Sequence, residues 1–399
     1  MDYLQQLLNN QPVEWKKLGE VCTRTSGTKI TAGKMKDLHK ENAPIKIFAG
    51  GKTIAFVDYG DIPQKDIYTT PSVIVKSRGI IEVEYYDKPF SHKSEMWSYA
   101  SKTSELDTKF LYYYLKTLEF DLQRVASKMQ MPQIAISDTE SLPIPIPPLP
   151  VQSRIVEILD KFTAMEAELE EQLQAELELR KKQYAYYREQ LLNFSYTPPS
   201  EFNVVYRKLG EVCDFQNGFA FKSSLFKEKG LPIIRITNIS GGRVTDEDYK
   251  YFDSSDYPKR VEEFRVSQGD ILIAMSGATT GKIGWYDNEV PAYLNQRVGR
   301  FIPNSDVLNN RFLYHYLQMK GEHLYLMAGG GAQPNLSSTD IKEKFPIPIP
   351  PLSEQERIVE MLDKFDTLTN SISEGLPLEI KLRRQQYEYY REQLLDFRR

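Results

Sequence analysis

Apolar side chains recur at three- and four-residue intervals, or sums of them, through Ile155, Ile158, Phe162, Leu169, Leu173, Leu177, Tyr184, Leu191 and Phe194. That period marks one helix face and predicts a helix of about 44 residues, roughly 65 Å long at 1.5 Å per residue. A second stripe passes through Ile358, Phe365, Leu368, Ile372, Leu376, Tyr387, Leu394 and Phe397. There the segment EGLP at 374–377 predicts a kink or interruption, because proline removes a backbone donor and clashes with the turn before it. Stripes this long cannot be hidden against a small domain, so each helix needs a partner helix. The two supply each other as an antiparallel coiled coil.

A proline run, PIPIPP, precedes each helix, at 143–148 and 346–351. Alternating prolines hold the chain extended and predict a stiff spacer. Ser353 and Glu356 have the capping-box spacing expected at a helix start, and Pro150 in the first copy suits a first helical turn. The two segments are copies of each other. Residues 143–194 and 346–397 align without a gap at an offset of 203, with 31 of 52 positions identical. VEWKKLGEVC at 13–22 matches VVYRKLGEVC at 204–213 at an offset of 191, so the second copy encloses a variable region twelve residues longer. Leu7 and Leu8 stand where Leu191 and Leu192 stand, so the N-terminus reads as the tail of a helix whose body lies at the C-terminus. The ends of the chain are expected to meet, giving a circular, pseudo-two-fold arrangement.

Between the repeated segments, strand-like runs at 53–57, 71–75, 80–86, 231–236 and 270–274 are punctuated by glycine and proline. Each variable region closes with a helix, at 107–119 and 309–321. The fold class is therefore α/β (α+β): globular domains at 1–142 and 201–345, each followed by a repeated region of proline-rich hinge and long helix, at 143–200 and 346–399. Matching frames around differing interiors predict one scaffold with two different surfaces.

Composition narrows the function. Hydrophobic residues are 41% and charged residues 27% of the 399, and no stretch approaches the eighteen or so apolar residues of a spanning helix. The N-terminus lacks a secretory pattern, and Cys22 and Cys213 are too few for a disulfide framework or a cysteine-built zinc site, so a cytoplasmic protein is expected. The net charge of −4 is uneven: residues 13–142 carry 19 basic and 17 acidic side chains, and 204–345 carry 18 and 17. DNA contact is permitted by that balance, not demanded. SGATTGK at 276–282 is one residue short of a phosphate-binding loop and is followed by Ile283, not by the serine or threonine that would hold magnesium. AGGKT at 49–53 lacks the leading glycine, and GGGA at 329–332 reads as a flexible loop. His39, His92, His315 and His323 have no metal-ligand spacing, with His315 a packing residue. No methyl-donor, target-base or nuclease motif is present, so no catalytic residue and no metal site is assigned.

GGAQPNLSSTDIKEKFPIPIPPLSEQERIVEMLDKF (330–365), its counterpart MPQIAISDTESLPIPIPPLPVQSRIVEILDKF (131–162) and YYREQLL twice resemble the specificity subunits of type I restriction-modification systems. NGFAFKSSLF (217–226) with GDILIAMSGATTGKIGWY (269–286) resembles one type of target-recognition domain, and the likeness covers essentially the whole chain. The resemblance implies that each variable domain reads one half of a split, asymmetric site on double-stranded DNA. It implies that the paired helices set the spacer and dock two methyltransferase subunits, which bring S-adenosylmethionine and methylate adenine at N6. Motor-nuclease subunits would bring ATP and magnesium, so this chain carries no cofactor, contacts no membrane and is not itself an enzyme. The rival reading is a coiled-coil scaffold with two protein-binding modules.

The family carries no motif for base contacts, so candidates rest on chemistry: Arg, Lys, Asn and Gln on loops can read base edges and phosphates. In the first domain these are Arg24, Lys29, Lys34, Lys36, Lys52 and Arg78. In the second they are Gln216, Asn217, Lys222, Arg235, Lys282, Asn295, Gln296, Arg297 and Gln333. Most of the tyrosines of the two YYREQLL segments pack in the helix seam, whereas Tyr186 and Tyr389 lie off it and are candidates for binding a partner protein.

Overall fold

A computed structural model describes residues 3–51, 53–126, 132–194, 204–329, 334–370 and 375–397. Contacts divide the chain into two compact units, Met1–Glu170 with Leu382–Arg399, and Glu171–Lys381. Each unit therefore combines one variable domain with the start of the helix that follows it and the end of the other helix.

The first long helix spans Leu149–Leu192, 44 residues, and the second is divided into Leu352–Asn370 and Gly375–Leu395. Pro377 falls in the first turn of the last helix, where its missing N–H has no intrahelical partner to lose. The expected positions Ile372 and Glu374 lie outside the described residues. In the first unit the two helices run antiparallel: Phe162 stacks on Tyr390, the hydroxyls of Thr163 and Tyr387 are 2.8 Å apart, and Glu170 pairs with Arg384. The buried stripe differs in detail from the expected one. Val151, Ile155 and Leu159, four residues apart, turn into the first domain, while Ile158 is half-buried and Phe162, partly exposed, turns to Tyr390 of the other helix. The first turns of the helix thus serve a domain, and only later turns serve the helix pair.

The proline runs are more than spacers. Pro143–Ile146 pairs antiparallel with Glu14–Lys17, and Pro346–Ile349 pairs with Val205–Lys208. A proline cannot donate, so the ladder on this side rests on Ile144 and Ile146, whose side chains are buried while Pro143 is exposed. Ser353 is not a cap either. The helix starts at Leu352, and the N–H groups of Glu354 and Gln355 bond the carbonyl of Pro351.

The first domain has a four-stranded antiparallel sheet in the order Cys22–Ser26, Trp97–Ser101, Ser72–Lys76, Glu82–Tyr86. Beside it is a three-stranded sheet, Ile54–Val57, Ile45–Phe48, Phe90–His92, with the last pair parallel. The second domain repeats both. Cys213–Asn217, Val298–Pro303, Ile271–Ala274 and Ile283–Trp285 match the first sheet strand for strand. Lys250–Phe252, Leu231–Ile234 and Ala292–Leu294 match the second, again with one parallel pair. The insertions are Arg265–Val266 and a hairpin, Ile239–Ser240 with Arg243–Val244, added at the edge of the larger sheet. One scaffold carries both domains, as the matching frames predict.

Buried polar groups fix each domain to its helix. Gln152, fully buried, accepts from the Asp107 N–H and donates to the carbonyls of Glu105 and Pro147. Gln355 does the same for Asn309, Val307 and Pro350. Asp107 and Asn309 are themselves N-caps of the helices Thr108–Thr117 and Asn310–Met319. The chain ends share a core: Leu4 and Leu8 of the Tyr3–Leu8 helix lie in one cluster with Leu394 and Leu395.

Candidate nucleic-acid interface

In each domain five chain segments meet where the parallel strand pair ends, and the same backbone bonds hold them. A crossing glycine comes first. At Gly27 a Cβ would lie 2.2 Å from the Lys93 carbonyl oxygen, and at Gly218 one would lie 2.0 Å from that of Asn295. The next residue bonds the same neighbouring strand in both domains, Thr28 N–H to His92 O and Phe219 N–H to Leu294 O, each at 2.8 Å. The parallel strands are tied at their ends by Lys93 N–H to Phe48 O and by Asn295 N–H to Ile234 O.

The hairpin turns close the cluster. Gly79 N–H bonds Pro132 O, and Ile134 N–H bonds Ser77 O. The second domain has Gly277 N–H to Pro334 O and Leu336 N–H to Met275 O in the same places. Arg78 thereby pairs with Gln133, and Ser276 with Asn335. The corresponding positions of this frame are Lys29, Ala49, Arg78, Lys93 and Gln133 in the first domain, with Ala49 buried. In the second they are Ala220, Arg235, Ser276, Asn295 and Asn335, with Asn295 buried.

Several candidates fall on this frame. Lys29 and Arg78 are exposed and form no ion pair among the described residues. Asn217, beside the crossing glycine, donates to Ser338 Oγ at 3.3 Å. Gln296 and Arg297 project from the turn that Asn295 shapes, where the buried Asn295 side chain accepts from the Arg297 N–H. Lys282 ends the neighbouring hairpin turn and is exposed. Arg235 lies on the frame but is held by Asp248, 2.9 Å away. Lys52 and Gln333 lie outside the described residues, as do Gly330, Gly331 and Ala332 of the expected flexible loop.

The others are placed elsewhere. Lys34 and Lys36 are exposed on the short helix Ala32–Leu38. Arg24 pairs with Glu140 at 3.1 Å and borders a hydroxyl-rich hollow with Thr23, Thr25, Thr70 and Ser101. Gln216 is engaged on its strand, donating to Glu263 O and accepting from Arg300, which also pairs with Asp270. Lys222 precedes the turn Ser223–Leu225, next to an aromatic group of Phe219, Phe221 and Tyr257. Gln133 and Asn335, both exposed, were not among the candidates. Their signal is the paired PQI and PNL, at 132–134 and 334–336, just ahead of the repeated segments.

Four backbone donors of the loop 276–282 are already engaged within the protein. Its Gly277, Thr280, Gly281 and Lys282 N–H groups bond Pro334, Gly277, Ala274 and Thr279, and Gly281 packs against the backbone of Tyr325. Among the described residues no group of three His, Cys, Asp or Glu side chains could hold a metal. His315 is more than packing: its Nδ1 meets the Tyr184 hydroxyl at 2.8 Å and its Nε2 meets Asp363 at 2.7 Å. No helix among the described residues is long and apolar enough to cross a membrane.

On the helices, Tyr186 and Tyr389 are 60% and 57% exposed and occupy equivalent positions. Each leans on the next tyrosine, which stacks on a phenylalanine: Tyr186 on Tyr187 over Phe365, and Tyr389 on Tyr390 over Phe162.

Comparison with known proteins accounts for this duplicated frame. The model of the type I restriction modification DNA specificity domain matches residues 10–179 and again 201–382, once for each copy. The chain belongs to the type I restriction-modification DNA specificity family. It is similar to the Type I restriction enzyme EcoR124I/EcoR124II specificity subunit of Escherichia coli, 34% identical across 100% of this chain and 97% of the relative. It is also similar to a putative type I restriction enzyme specificity subunit of Haemophilus influenzae, 32% identical across 99% and 98%. A chain solved in work on complex assembly and conformational transition of the type I R-M system shares the fold. The two superpose with a TM-score of 0.62 over 96% of this chain and 98% of that one, at 17% identity. The specificity family is non-catalytic, and this chain is a DNA specificity subunit.

Proposed function

We propose that each loop cluster reads one half of a split DNA site, the first through Arg78 and Gln133, with Lys29 on the backbone, and the second through Asn217, Gln296, Arg297 and Asn335. One observation carries the reading: the same backbone bonds hold five segments in both domains while the exposed side chains differ in kind. A frame that keeps its backbone and varies its amides and cations is suited to direct readout, since bidentate Arg, Asn and Gln contacts discriminate bases. The unpaired lysines would serve phosphates. The formal charge of −4 is no obstacle when partner subunits also hold the duplex.

The partners follow from the helices. Two equivalent stacks, ending in Tyr186 and Tyr389, offer two docking positions for two methyltransferase subunits; exposed aromatic anchors are the usual centre of such contacts. Those subunits would bring S-adenosylmethionine and methylate adenine at N6, and motor-nuclease subunits would bring ATP and magnesium, all within the cytoplasm. Methylation mapping in a host with and without this gene, its methyltransferase being present, tests the reading. A new split motif with N6-methyladenine in both halves is expected. No new motif, despite soluble chain bound to its partner, would favour the scaffold.

A further inference from the structure

Each recognition domain sits on its helix through a set of corresponding side chains, and the correspondence breaks in charge at one position. On the first helix Asp160 takes Lys109 and the Tyr113 hydroxyl, each at 2.7 Å. On the second, Asp363 takes Arg311 and His315. Lys109 lies over Tyr85, as Arg311 lies over Trp285 on the matching strand. Gln152 and Gln355 make identical bonds. Three residues after each aspartate the helices part: Thr163 on the first, Asp366 on the second.

The environments differ as sharply as the residues. Thr163 is exposed, bonding the Leu159 carbonyl and lying near the Tyr387 and Tyr113 hydroxyls, and no Lys or Arg bonds it among the described residues. Asp366 is fully buried. Its carboxylate takes Arg243 at 2.5 Å, Arg311 at 3.1 Å and the Asn370 amide at 2.9 Å. Arg243 belongs to the edge hairpin that only the second domain carries, and its other acidic partner, Asp287, is half exposed and 3.4 Å away.

We propose that Asp366 is a positioning residue that keys the second recognition domain to its own helix, by fixing the inserted hairpin through Arg243. Set over the first helix, the same domain would bring Arg243 down on Thr163, leaving a largely buried guanidinium without its carboxylate. Removing one partner of a buried pair is far more costly than never having the pair, so the mismatch excludes the domain. The first domain has no such hairpin and meets this position only through the Tyr113 hydroxyl, 3.4 Å from Thr163 Oγ1, which demands no charge there. The two seats are therefore not interchangeable, and one side chain decides it.

The test replaces residues 14–142 by a second copy of 205–345, so that both seats hold the second domain. Thr163→Asp in this duplicated chain is expected to raise the thermal midpoint by roughly 5–15 °C. With the methyltransferase present, it should also direct methylation to a motif carrying the second half-site in both arms. Thr163→Asn, alike in size but uncharged, should do neither. In the unaltered chain Thr163→Asp should change the midpoint little, whereas Asp366→Thr should lower it. Equal effects of Thr163→Asp in both chains, no effect of Asp366→Thr, or a duplicated chain that stays unfolded with either residue at 163 would overturn the proposal. The midpoint requires no DNA, so a correct shift without methylation would count against the functional reading and leave the key standing.

Discussion

Gln355 and Asn309 are joined by one bond, the Asn309 N–H donating to Gln355 Oε1 at 2.8 Å, and this bond ties the capping residue of a domain helix to the first turn of a long one. Gln152 and Asp107 repeat it at the same length. Because both glutamines are fully buried, no water can replace them. Gln355→Ala would strand the Asn309 N–H and remove a donor from the Val307 and Pro350 carbonyls. A loss of about 2–4 kcal/mol is expected from those unsatisfied groups, measurable by urea denaturation. An unchanged midpoint would mean that the glutamine is not the joint.

The crossing glycines make a sharper contrast. Gly218→Ala places a methyl 2.0 Å from the Asn295 oxygen, and Gly27→Ala places one 2.2 Å from that of Lys93. Both variants should lose the loop cluster and with it DNA binding, with a marked fall in thermal midpoint. Gly33→Ala, within the helix Ala32–Leu38 and with nothing within 4 Å, should instead be neutral or gain about 0.5–1 kcal/mol.

Stability should weaken in mild acid. Burial holds the His315 pKa below its usual 6.5, outweighing the Asp363 hydrogen bond, and burial does the same at His92. The unfolded chain then binds protons that the folded one refuses, so stability is full above pH 6.5 and falls as the pH drops below it. Asp363 works at lower pH. Burial alone would raise its pKa, but the bonds from His315 and Arg311 hold it down, so its contribution is lost only in stronger acid. His315→Gln should flatten part of the slope between neutrality and pH 5, as followed by denaturation at successive pH values. A slope unchanged by the substitution would contradict this.

Readers and phosphate contacts separate by their signatures. Gln133→Ala or Arg297→Ala should cost about 1–3 kcal/mol at one position of one half-site. Lys29→Ala should weaken all sequences alike and reduce the salt dependence of binding by about one phosphate's share. Competition binding against a library of altered sites, at two salt concentrations, distinguishes the two.

Much of the fold was legible because the repeat is literal: the helices, their proline leads and the closing helices of both domains follow from period and identity. Three features were hidden for physical reasons. Pairing of Pro143–Ile146 with Glu14–Lys17 joins segments far apart in sequence, and proline gives no hint of a strand partner. The common loop frame is built from backbone bonds, which Lys93 and Asn295 make equally well, so the sequence shows no kinship there. Polar type alone could not separate Gln216, held on its strand by Glu263 and Arg300, from Gln133, exposed beside Arg78. Long-range neighbours decide such cases.

The most direct test of two domains reading two half-sites is exchange of residues 205–345 for the corresponding segment of a relative, followed by methylation mapping with the same methyltransferase. The account predicts that one half of the methylated motif changes while the other half keeps its sequence. A motif altered in both halves, or in neither, would contradict it.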